Sequence, residues 1–72
     1  MSNTLRISLK AARVNAGMTQ DQVCKSVSCS KATLVKWENG ETSPTVDKAI
    51  ELARLYKMPL EAIDFALKVN LN

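Results

Sequence analysis

The tightest constraint in this chain is the short gap between two capped helices. Thr19-Gln20-Asp21-Gln22 has the capping-box pattern, in which a threonine hydroxyl and a glutamine three residues on satisfy each other's free amides. Met18 before the cap and Val23 at the fourth helical position fit a hydrophobic staple. This helix ends near Val27. Ser30 caps the next helix, which runs from Lys31 to about Asn39 and stops at Gly40. Only Ser28-Cys29 and the capping residues lie between the two. Helices this short and this tightly joined cannot lie antiparallel, so they must cross steeply, with the second pushed outward.

The rest of the chain supplies helices to pack against that pair. Leu5, Leu9, Ala12 and Ala16 fall on one helical face, which predicts a first helix over residues 5–16, capped by Thr4 and ended by Gly17. Glu41-Thr42-Ser43-Pro44 is a loop. Thr45 caps a fourth helix whose apolar stripe is Val46, Ala49, Ile50, Ala53 and Tyr56. Lys57-Met58-Pro59 breaks it, because proline pushes its predecessor out of helical geometry. A fifth helix is expected from Leu60 to at least Phe65. The reading is therefore an all-α domain of about five short helices, single over residues 1–72, with the helix-turn-helix at about 19–39.

Composition narrows the function classes. The chain has 72 residues and is 46% hydrophobic, enough for one small core. There is no His, which removes histidine bases and imidazole metal sites. Cys24 and Cys29 are five apart, not the spacing of a redox or zinc pair, and are expected as two small buried residues. No Gly-rich phosphate loop, paired carboxylates or activated nucleophile is present, so no enzyme, cofactor or metal is expected. No apolar run reaches the ~20 residues of a membrane span, and no secretory signal opens the chain, so a cytoplasmic protein is expected.

Charge is divided along the sequence. Residues 1–36 carry six basic residues against Asp21 alone, whereas residues 37–72 carry four basic against six acidic. The basic half suits a polyanion. The outward helix could place its N-terminal residues in a DNA major groove.

Gly17-Met18-Thr19-Gln20, Thr33, and Trp37-Glu38-Asn39-Gly40 followed by Ser43-Pro44 resemble the Cro/CI-type helix-turn-helix family, also called XRE-like or lambda-repressor-like. The resemblance spans about residues 9–65. It implies a compact five-helix DNA-binding domain. Lys31, Ala32, Thr33 and Lys36 then match positions that face base edges. Gln20, Asn39, Thr42 and Ser43 match phosphate contacts, together with the backbone after Gly40. Arg13 and Glu38 match a pair tying the first helix to the end of the third. The chain departs from the family at Ser28, usually Gly, and at Glu41, where a basic residue is common. Two lysines with Ala32 and Val35 bring charge but little base code, so modest specificity is expected.

Two functions follow. The first is a transcription regulator, a repressor of the small stand-alone phage or bacterial Cro-like type, bound to an operator in double-stranded DNA. The second is a modulator or antirepressor that pairs with a cognate repressor through the exposed third helix, with Val35 in the contact. Ile63, Phe65, Leu67, Val69 and Leu71 alternate with polar or small residues. This predicts either a strand or the frayed end of helix five, with residues 66–72 as a tail for a homodimer or partner. The tail can equally fold over its own core.

Overall fold

A computed structural model of the chain describes residues 6–65. Four α-helices follow one another: α1 (Leu9–Asn15), α2 (Gln20–Val27), α3 (Lys31–Glu38) and α4 (Val46–Leu55). Two short strands, β1 (Ile7–Ser8) and β2 (Ile63–Asp64), flank them and pair in parallel, Ile7 opposite Ile63. No helix among the described residues is long and apolar enough to cross a membrane.

The same local chemistry starts every α-helix. Ser8, Thr19, Ser30 and Thr45 each accept a hydrogen bond on the side-chain oxygen from the amide three residues on, at 3.0, 3.1, 3.1 and 3.3 Å. Thr19 completes the box by donating its own amide to Gln22 Oε1 at 2.9 Å. The ends are also alike. Each helix closes on a left-handed residue: Gly17, Ser28, Gly40 and Lys57. Ser28 (φ 54°, ψ 57°) thus keeps a conformation that glycine adopts far more easily.

Among the described residues, twelve buried apolar side chains form the core cluster, with Leu9, Val23, Leu34 and Leu52 the most completely enclosed. Val23 and Val27 come from α2, Leu34 and Trp37 from α3, and Ala49, Leu52 and Ala53 from α4. Because α2 and α3 both send their apolar faces inward, the polar face of α3 is left at the surface.

Several sequence expectations are corrected. Among the described residues there are four α-helices and not five. α1 begins at Leu9, not near Leu5, because Ser8 is the cap and Ile7 is drawn into pairing with Ile63. The expected fifth helix is one 3-10 turn, Leu60–Ala62, and of the two readings of the alternation from Ile63 the strand is the one found, as β2 over Ile63–Asp64. Ile63 is β-branched and suits the strand, where it is 2% exposed. Phe65, placed at an interface, is 6% exposed and belongs to the chain's own core. In α4 the buried stripe is Ala49, Leu52, Ala53 and then Tyr56, while Val46 is 72% exposed. That set is an i, i+3, i+4, i+7 pattern; Val46 keeps the spacing but is the first residue of the helix and is left at the surface. Cys24 and Cys29 are half-buried, packed against the core and not within it. Leu67, Val69, Leu71 and the tail 66–72 lie outside the described residues.

Candidate nucleic-acid interface

α3 is a helix with two distinct faces. Leu34 and Trp37 are 0% and 8% exposed, whereas Lys31, Ala32 and Lys36 are exposed. Thr33 and Val35 are half-buried at the margins. Thr33 Oγ1 accepts from the Ser30 hydroxyl at 2.8 Å, so the capping turn of α3 is doubly tied. Lys31 Nζ lies 3.6 Å from Asp21, a solvent-exposed pair with side chains 60% and 74% accessible. Such a pair is weak and is given up easily.

The start of α2 stands beside this face. Gln20 is half-buried, and its Nε2 donates to Glu38 Oε1 at 3.2 Å. Glu38 also accepts from Arg13, Nε to Oε2 at 2.7 Å and Nη2 to Oε1 at 3.4 Å. Arg13 Nη1 donates in turn to the Met18 carbonyl at 3.0 Å. Through these bonds Arg13 links α1, the turn before α2 and the last residue of α3. An open pocket lined by Lys10, Arg13, Thr19, Gln20, Asp21 and Lys31 lies over the junction. It adds Lys10, exposed on α1, which the motif positions leave out. Its signal in the sequence is only the excess of basic residues in the first half.

The corner after α3 is arranged differently from expectation. Asn39, Glu41, Thr42 and Ser43 are exposed. The amides of Glu41 and Thr42 both turn back onto the Lys36 carbonyl, at 2.9 and 3.4 Å. Those two amides therefore close the helix. Asn39 Nδ2 reaches Glu41 Oε2 at 3.5 Å, so one of the two donors of this amide leans toward the acidic residue.

Behind this face Tyr56 is 5% exposed, and its hydroxyl has no hydrogen-bond partner among the described residues. Burial, then the Glu38 charge, raises its ionisation well above the ordinary phenol range, with Arg13 acting in the opposite direction.

The geometry is thus an outward basic helix, held by a partly buried ion pair, beside the N-terminus of a second short helix. A model of the family described as Helix-turn-helix matches residues 9–63. Two relatives from Archaeoglobus fulgidus are each named an uncharacterized HTH-type transcriptional regulator. One is 30% identical over 57 residues, covering 79% of this chain and 81% of the relative; the other is 30% identical over 59 residues, covering 82% and 83%. No solved structure matches the chain. With four capped helices among the described residues, a short α2–α3 corner and a match across most of its length, the chain belongs to the XRE/Cro-like family of helix-turn-helix transcriptional regulators.

Proposed function

We propose that the chain regulates transcription by laying α3 in the major groove of a DNA operator, as a Cro-like repressor. The observation that carries this reading is the exposure of Lys31, Ala32 and Lys36 on a helix whose opposite side, Leu34 and Trp37, is locked in the core. Lys31 and Lys36 then reach base edges and phosphates, and Ala32 and Thr33 lie against the groove floor. Gln20 meets a phosphate at the start of α2, while Asn39, Thr42 and Ser43 meet another beyond α3. Lys10 adds charge to the same face. Regulation is by occupancy: a domain seated on a promoter excludes other proteins from it. A second copy on the opposite half-site, about one DNA turn (~34 Å) away, raises affinity by avidity. The half-burial of Val35 reduces the apolar surface available to a partner repressor, so the protein-modulator reading is the weaker of the two.

The test is DNA binding across a range of salt concentrations. Sites are first selected from a random duplex pool. Lys31→Ala and Lys36→Ala should each weaken binding and flatten the dependence of log K on log salt by up to ~0.9. Unchanged affinity and slope in both variants would remove α3 from the groove.

A further inference from the structure

The corner between α2 and α3 contains two thiols that the DNA-binding surface does not use. The Cys29 amide donates to the Cys24 carbonyl at 3.2 Å, and Ser28 between them is left-handed. A helix end of this kind brings the side chains on either side of the left-handed residue together, and an apolar contact between them is usual. Here both side chains are thiols. The Cys29 S–H donates to Cys24 Sγ at 3.8 Å, and both residues are half-buried. We propose that Cys24 and Cys29 form a reversible intramolecular disulfide on exposure to a hydroperoxide, a redox site built into the corner that aims α3.

The chemistry balances without a cofactor. With hydrogen peroxide, the simplest hydroperoxide, one thiolate attacks the O–O bond and becomes a sulfenic acid, releasing hydroxide. The second thiolate attacks the sulfenic sulfur, forming the S–S bond and expelling a second hydroxide. With the two thiol protons, two waters leave, and two electrons pass from the sulfurs to one peroxide. Whichever cysteine reacts first, Cys29 must be a thiolate in one of the two steps. Burial, then the hydrogen bond and charge of Cys24, push the Cys29 thiol up to about 11, while the Lys48 ammonium on α4 pulls it down. The Tyr56 hydroxyl, at the end of α4, also lies within electrostatic reach of both thiols. Closure is therefore slow at neutral pH and quickens as pH rises.

The cross-link closes a six-residue ring around Ser28. It restricts the unfolded chain and holds the left-handed residue in place. The oxidised protein should melt about 5 °C or more above the reduced one.

The experiment treats the reduced full-length chain with hydrogen peroxide at neutral and at mildly alkaline pH. Intact mass under non-reducing conditions and alkylation of free thiols are then measured, with melting followed by Trp37 fluorescence. The expected result is a monomer that has lost two hydrogens and both alkylatable thiols, faster at the higher pH. It should melt higher and return to the starting state with dithiothreitol. Cys24→Ser and Cys29→Ser should each abolish the monomeric mass loss. Should either variant fail to fold, the wild-type mass and thiol counts still decide. Thiols that persist in excess peroxide at alkaline pH overturn the proposal, as do dimers linked between chains or sulfinic acid formed in place of the ring. A monomeric disulfide that melts lower shows that the bond does not fit the native corner. Stoichiometric Cu(I) capture by peroxide-inert thiols would make the pair a soft-metal site instead.

Discussion

The Arg13 guanidinium meets the Glu38 carboxylate at 2.7 Å, with the two side chains only 11% and 3% exposed. A pair so enclosed gains little over an apolar replacement, but removing one partner strands the other charge away from water. Glu38→Ala should therefore destabilise by about 3 kcal/mol, because it leaves Arg13 unpaired and also releases Gln20. Arg13→Met combined with Glu38→Leu should recover much of that loss. Denaturant titration of the single and double variants checks both. If the single and double variants are equally unstable, the pair is not acting through its buried charges. On the proposed function, the restored stability should not restore DNA affinity, since Gln20 would still lack its anchor.

Tyr56 gives a prediction of the opposite sign. Its hydroxyl is buried and finds no partner among the described residues, so it was removed from water with no bond to them in return. Tyr56→Phe keeps the ring's packing and should stabilise the chain by about 1 kcal/mol. The phenol also sets an alkaline limit. Its folded-state ionisation lies above the unfolded value of about 10, so the folded state holds the proton more tightly. That contribution is complete below pH 10 and is lost as pH rises beyond it. Cys29, raised from 9.0 to about 11, adds a loss that starts nearer pH 9. Melting temperature measured from pH 7 to pH 11 should fall above about pH 9, and Tyr56→Phe should flatten the part above 10. This is the chain's one tyrosine, so tyrosinate absorbance reports it without overlap.

Two of the four left-handed helix ends lack glycine. Ser28 has φ 54° and Lys57 has φ 56°. An L side chain there costs about 1 kcal/mol relative to glycine. Ser28→Gly and Lys57→Gly should each stabilise by about 0.5–1 kcal/mol, and the gains should add because the sites lie in different corners. Thermal unfolding of the two single variants and the double variant checks size and additivity. Ser28→Val at the same position should destabilise, since a β-branched residue tolerates positive φ poorly.

The capping chemistry at Thr19, Ser30 and Thr45 is readable from sequence because each cap is a bond between residues three apart. The α2–α3 corner follows from it, since a gap of that length leaves few crossings. The ends of the domain are not readable in that way. Leu5, Leu9 and Ala12 keep helical spacing through Ile7, and nothing local signals that Ile7 will pair with Ile63. Glu61 after Pro59 reads as a first helical turn, but the turn stops after three residues, where Ile63 joins β2 and Phe65 enters the core. In α4 the spacing admits Val46 and Leu52 alike, and only packing in three dimensions encloses Leu52 and leaves Val46 exposed. The site shows the same division. Residue types at α3 suggest an outward basic helix. The return of the Glu41 and Thr42 amides to Lys36, and the place of Lys10 beside Gln20, depend on three-dimensional closure.

Asp21 separates what serves the fold from what serves DNA. It lies in the first turn of α2, where a negative charge suits the helix dipole, and its carboxylate sits 3.6 Å from Lys31. Both interactions are solvent-exposed, so together they contribute about 1 kcal/mol or less. On the proposed function the same carboxylate stands beside the duplex, holding a groove-facing lysine and repelling phosphate. Asp21→Asn should then lower stability only slightly while tightening DNA binding several-fold at low salt. The gain should shrink as salt rises, because screening weakens the repulsion that the substitution removes. Binding isotherms for the wild type and the variant at two salt concentrations, read beside their melting curves, measure both effects. Affinity that falls in step with stability would place Asp21 outside the DNA-facing surface.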